Sequence, residues 1–232
     1  HQHANVHSFP TRRSSDLIAL HYGGVTFLNN IDLKFMFKDT ECVRMQSGKY
    51  SCVIAPKLGA AVLRLRDEEN GIEVFRYRDD CTLKTINKAR EIWGLPTLFL
   101  PNRFDKGIIK TSDAVYQMPV NEKKLDNFIH GWVHKREHEI ECYSTQDKKA
   151  VLVTSYTFDK NDEMYSYFPV DFKISYTFTL SENGLLQEIY LTNNSDKALP
   201  VSICTHTCLN APMCDDGREE SMRMCVPIIE KC

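Results

Sequence analysis

The apolar residues of this chain fall in short runs with a period of two. The clearest is Phe172, Ile174, Tyr176, Phe178 and Leu180, with Lys173, Ser175, Thr177 and Thr179 between them. A period of two puts one set on each face of a strand, so Phe172–Leu180 is predicted as a strand with one buried face. Ser181–Gly184 is a turn, Leu186–Thr192 returns, Asn193–Ala198 turns, and Val201–Leu209 reads as another strand. Upstream, Val25–Leu28 and Ile31–Phe35 are strand-like runs separated by Asn29 and Asn30. Tyr50–Ile54 is closed by Pro56–Gly59. Ala61–Arg66 alternates, with Val62 and Arg64 on one side and Leu63 and Leu65 on the other. Asn70-Gly71 is a hairpin signal before Ile72–Arg78, where Ile72, Val74 and the stem of Arg76 share a face opposite Phe75 and Tyr77. Cys81–Glu91 reads as a loop or one helical turn. Trp132–Ser144 and Ala150–Phe158 read as strands. Closely spaced strands with little helix predict an all-β fold, a large antiparallel β-sandwich.

One stretch breaks the pattern. Ile92–Gly131 is punctuated by Gly94, Pro96, Pro101, Gly107, Pro119 and Gly131, so it is neither one helix nor one strand. Between the breaks lie Asn102-Arg103, Asn121-Glu122 and His130. Such groups on irregular backbone beside apolar strands suit a concave site for a small polyhydroxylated ligand.

The order Gly94-Leu-Pro96, Pro101-Asn-Arg103, Gly107, Tyr116-Gln-Met-Pro119, Asn121-Glu122, Asn127, His130-Gly131 resembles the aldose 1-epimerase (galactose mutarotase) family. Phe168-Pro169, the strand Phe172–Leu180, Asn183-Gly-Leu185, Asn193-Asn194, Leu199-Pro200 and Thr205-His206 continue it, over roughly Ser47 to Asn210. The resemblance implies a supersandwich of two big sheets and an isomerase acting at C1 of free hexoses such as galactose or glucose. It places His206 at the histidine that protonates the ring oxygen and His130 at a second histidine beside the reacting centre. Arg103 falls at the arginine that bonds sugar hydroxyls, with Asn102 shaping its turn. Glu122 is expected to anchor the loop, because the family's base comes from nearer its C-terminus.

Mutarotation takes the proton from the anomeric hydroxyl, breaks C1–O5 as the ring oxygen is protonated, and reverses after rotation about C1–C2. It needs a positioned acid and base and no metal or organic cofactor, and each group is worth about 10² to 10⁴ in rate. Histidine suits the acid because it exchanges a proton near neutrality. Each residue also has a plain reading. Arg103 could pair with Asp105 at the surface, His206 could be a satisfied core histidine, and Trp93, Tyr116 and Trp132 could stack on a sugar or simply fill the core. His130, His134 and His138 would share a face on a helix, but Gly131 and the β-type residues after it favour a strand with His134 and His138 exposed. Two departures from the family stand out. Thr207-Cys208-Leu209 follows His206 where an aromatic residue is usual, and the chain stops at Cys232, before the region that supplies the family's base. Asp215, Asp216, Glu219, Glu220 and Glu230 match no motif. Residues 18–232 are therefore expected to be a partial sandwich domain, truncated at the C-terminus and inactive by itself. A non-catalytic sugar-binding sandwich and a hexose-6-phosphate 1-epimerase are the alternatives.

Composition narrows the classes. The 29 Lys and Arg nearly balance 31 Asp and Glu, for a net charge of −2, which argues against a nucleic-acid partner. No apolar run approaches the roughly 20 residues of a membrane span. Nine cysteines, an odd number with no Cys-x-x-Cys pair and no visible secretory signal, read as reduced, mostly buried and cytoplasmic. Cys204, His206, Cys208 and Cys214 form the densest group of metal-ligand types, with a spacing that fits no common zinc module. Residues 1–17 lack periodicity. Ser8–Leu17 resembles translated adaptor sequence, and 1–17 are set apart as a leader. Oligomeric state is not legible.

Overall fold

The computed structural model describes residues 19–22, 25–28, 30–76, 81–214 and 217–225. The leader at 1–17, Tyr77, Arg78, and the carboxylates Asp215, Asp216 and Glu230 lie outside them. Strands β1 (Ala19–Tyr22) and β2 (Val25–Leu28) form a hairpin. Strands β3 (Asn30–Phe37), β4 (Thr40–Ser47), β5 (Tyr50–Ala55), β6 (Ala61–Asp67) and β7 (Ile72–Glu73) follow as an antiparallel meander of five. Helix α1 (Leu83–Lys88) is capped by the Thr82 hydroxyl, which accepts the Thr85 N–H at 3.2 Å. The irregular stretch then supplies five short strands: β8 (Thr97–Leu98), β9 (Arg103–Asp105), β10 (Ile108–Lys110), β11 (Val115–Gln117) and β12 (Asn127–Ile129). A second meander joins β13 (Glu139–Gln146), β14 (Lys149–Phe158), β15 (Phe172–Ser181) and β16 (Gly184–Asn193), and β17 (Cys204–Thr205) pairs back to β8.

The two meanders face one another. Val43, Met45, Cys52, Ile54 and Val62 of the first share a buried cluster with Ala150, Leu152, Ile174, Tyr176, Phe178 and Leu180 of the second. Each large side chain so buried contributes about 2 kcal/mol. The sandwich therefore carries much of the stability, and the short strands β10, β11 and β12 add Ile109, Tyr116 and Phe128 to the same cluster. The first sheet is covered on its other face too, where Phe37, Val53, Ala55 and Leu63 pack with Ile86 of α1 and Trp93. The second sheet's other face is open. Leu186 and Tyr190 are each 56% exposed there, beside the Lys173–Glu141 ion pair.

Several sequence expectations change. In β6 the register slips between Val53 and Ile54, so Arg64 faces Val53 while Val62 faces Ile54. That bulge breaks the alternation. Leu65 packs with Val62 in the sandwich, and Leu63 lies on the opposite face. The run from Trp132 does not begin as a strand. Val133–Lys135 is a 3₁₀ turn, and extended structure starts at Glu139. His134 and His138 are consequently buried, at 2% and 3% exposure, rather than exposed. The run Val201–Leu209 is regular only at Cys204–Thr205, with one isolated bridge from Leu209 to Phe75. Of the eight cysteines among the described residues, only Cys42, Cys52 and Cys81 are buried, so these cysteines are not mostly buried.

Candidate functional site

Two small ribbons build the site, and one segment supports both. Gly94–Leu100 is fastened to the first sheet, where the Leu95 N–H donates to the Val62 carbonyl at 2.8 Å. A Cβ on Gly94 would sit 2.1 Å from that carbonyl oxygen, so only glycine permits the approach. Farther on, β8 pairs with β17 through Thr97–Thr205 and Leu98–Cys204. The next residue after β17 is His206, whose N–H donates to the Pro96 carbonyl at 3.0 Å. From the other side Phe99 bridges Gly131. His130 and His206, far apart in sequence, are thus hung on one spine.

The second ribbon pairs β9 with β12. Arg103 lies opposite Ile129, and Phe104 lies opposite Phe128. The ladder continues one step, with the His130 N–H donating to the Asn102 carbonyl at 3.0 Å. Asn102 and His130 both adopt left-handed backbone, φ 68° and 66°, and Gly131 follows at 61°. Trp132 then plunges into an aromatic cluster, 5.1 Å from Phe158 and 5.7 Å from Phe168 between ring centres. This anchors the chain directly behind the turn. Trp93, Tyr116 and Trp132 are all buried, so each takes its core role and none presents a ring face to a ligand.

The imidazoles of His130 and His206 meet edge to face, with centroids 5.3 Å apart and planes at 76°. The Nδ1 atom of each is buried with no hydrogen-bond partner among the described residues. Burial, followed by the neighbouring His206, holds the His130 pKa below its ordinary value, while Glu91 and Glu122 push the other way. His130 is therefore a neutral imidazole near neutrality. Arg103 presses on it with its charge as well. The guanidinium is half exposed and gripped side-on by Glu122: Nε donates to Oε2 and Nη2 to Oε1, both at 2.9 Å. Its partner is Glu122 rather than Asp105. The grip engages Nε and Nη2, which leaves Nη1 to donate to a ligand. Asn127 Nδ2 also donates to Glu122, at 2.9 Å, and these bonds hold the carboxylate ionised, its pKa below the ordinary range. Glu122 is thus an anchor, as expected. The loop Asn121–Leu125 lines a surface hollow of its own, which neither histidine enters.

Cys204, His206 and Cys208 do not form a ligand set. Among the described residues no three His, Cys, Asp or Glu side chains are placed to hold a metal ion. Sequence reasoning missed Glu91, whose charge reaches His130 from the short 3₁₀ turn Arg90–Ile92. It singled out Asn121 but not the role of its side chain, which bonds only main chain and leaves no mark in residue spacing.

A sequence profile of the family described as Aldose 1-epimerase matches residues 41–221. A galactose mutarotase-like protein from Clostridium acetobutylicum superposes with a TM-score of 0.78 at 29% identity, covering 82% of this chain and 56% of its own. Galactose 1-epimerase from Lactobacillus acidophilus NCFM shares the fold, with a TM-score of 0.56 at 15% identity over 73% of this chain and 49% of its own. The chain spans about half the length of these solved structures.

Proposed function

The chain belongs to the aldose 1-epimerase family, and from that premise we propose that it binds a free hexose such as galactose or glucose and supplies the acid for interconverting its α and β anomers. The observation that carries the reading is the meeting of the two imidazoles, beside an arginine whose outer nitrogen is unspent.

In this reading His206 gives its proton to the ring oxygen as C1–O5 breaks. His130, kept neutral, contacts the sugar near C1 and helps orient it. Arg103 donates through Nη1 to ring hydroxyls, and Asn102 sets the turn that presents it. The open aldehyde turns about C1–C2, and the ring oxygen returns its proton to His206 as it attacks the other face. The base that takes the anomeric proton is not assigned. Glu122 is excluded from that part, because its two oxygens are committed to Arg103 and Asn127.

The test has two arms. Saturation-transfer NMR reads the binding of galactose and glucose to the 232-residue chain, and polarimetry reads the approach of α-galactose to anomeric equilibrium. Arg103→Ala should weaken binding about tenfold or more, as expected for loss of a charged hydrogen bond. His206→Ala should leave binding in place and abolish any acceleration. Acceleration that survives His206→Ala rejects the acid assignment, and failure of both sugars to bind rejects the reading. Binding with no turnover in any version of the chain favours the non-catalytic sandwich. A preference for glucose 6-phosphate over glucose favours the phosphohexose alternative.

A further inference from the structure

His130 is a non-glycine residue in left-handed backbone, which costs roughly 1–2 kcal/mol and persists only where its surroundings impose it. On one side β9 does so. The Asn102 carbonyl takes the His130 N–H, and the ladder alternates so that the main-chain groups of Asn127 and Ile129 point away from β9. A third strand would satisfy them there, and among the described residues none pairs on that side. The chain doubles back instead. The N–H groups of Asn121 and Glu122 both donate to the Asn127 carbonyl, at 3.1 and 3.0 Å, and the Asn127 N–H returns to the Glu122 carbonyl at 3.4 Å. One register step nearer the site, the main chain of this turn no longer reaches, and the Asn121 carboxamide takes over. Its Nδ2 donates to the Ile129 carbonyl at 3.0 Å, and its Oδ1 accepts the Ile129 N–H at 2.7 Å. This is the two-bond exchange of a hydrogen-bonded strand pair, made by a side chain.

We propose that Asn121 is a positioning residue: its carboxamide stands in for a strand beside Ile129 and so fixes the His130 ring against His206. Ile129 is the residue immediately before His130. With its N–H and carbonyl locked on one side and the His130 N–H locked on the other, the strained turn has no room to relax. No other residue type supplies a donor and an acceptor at that reach: aspartate lacks the donor, and glutamine is one methylene too long. The inference rests on the proposed function for its meaning, because positioning matters only if the two rings share a task. Its geometry can be tested without turnover.

The experiment is NMR on the 232-residue chain with ¹³C-labelled histidine. The unaltered protein should show a cross-relaxation peak between the His130 and His206 rings, and a His130 titration midpoint below the ordinary histidine value. The groups that bear on that midpoint are His206, Arg103, Glu91 and Glu122. In Asn121→Ala the inter-ring peak should vanish and the His130 midpoint should rise toward that of a free histidine, while the amide spectrum of the sandwich stays in place. Glu122→Gln, which releases Arg103 but keeps the carboxamide, should retain the peak. Persistence of the peak and midpoint in Asn121→Ala overturns the proposal. Should that variant fail to fold, Asn121→Asp decides, since it keeps the acceptor and loses the donor: a weakened inter-ring peak supports the proposal, and an unchanged one overturns it. Absence of sugar binding with the ring effect intact would reject the function and leave the positioning standing.

Discussion

Arg103 and Glu122 show how one side chain decides what another can do. Alone, a half-exposed arginine would sample many rotamers, and ordering it on a ligand would cost rotamer entropy. The side-on grip of Glu122 fixes the guanidinium plane in advance and leaves Nη1 outward. Glu122→Gln, which removes the charge and one acceptor, is expected to weaken sugar binding several-fold while moving the denaturation midpoint little; titration followed by NMR, beside a urea melt, checks both. His130, His206, Arg103 and Asn102 could be singled out because family motifs occur in order along the chain. Asn121 could not be given its role, since its bonds run to main chain eight positions away and any residue at 129 would offer the same groups. His134 and His138 were misplaced for a related reason. Their burial follows from the 3₁₀ turn after Gly131 and from the close approach of Gly59 to the His134 main chain, neither of which is a property of the histidines.

Among the elements, those that bury a full face were readable and those that cross the site were not. Strand β15 has strict alternation of buried and half-buried residues from Phe172 to Ser181, as its sequence implies. Strands β8, β9, β12 and β17 are two or three residues long, too short for a period to register. Their positions come from tertiary contacts, above all from the meeting of Gly131 with Phe99. A Cβ at Gly131 would lie 2.0 Å from the Phe99 oxygen and 2.4 Å from the Leu100 nitrogen, on backbone at φ +61°. Gly131→Ala is therefore expected to cost about 3 kcal/mol or more, because both obstacles are main chain and neither can swing aside. A drop in the urea midpoint of that size would bear this out, and a near-neutral result would show that the ribbon yields.

For the whole molecule, two buried histidines add to the response to acid. His138 stacks on Tyr176 at 4.7 Å inside the sandwich, and His134, four residues earlier, is buried as well. Burial holds both pKa values down to about 3, against about 6.5 in an unfolded chain. Below pH 6.5 the unfolded chain takes up protons that the folded one refuses, so stability is full above that pH and falls as pH drops toward 3. The slope approaches about 1.4 kcal/mol per pH unit for each histidine. Urea melts at pH 7, 6, 5 and 4 should show the midpoint falling, and His138→Phe, which keeps an aromatic ring against Tyr176, should flatten the trend. The sandwich itself is set by two meanders packed through one core, whereas the residues assigned to sugar chemistry lie on short strands and in the turns at their ends. Replacements there that spare the groups lent to the core, such as Phe128 and Gly131, can retool the ligand while the chassis beneath goes on folding, so descendants of this architecture are free to diverge in what they recognise long before they diverge in shape.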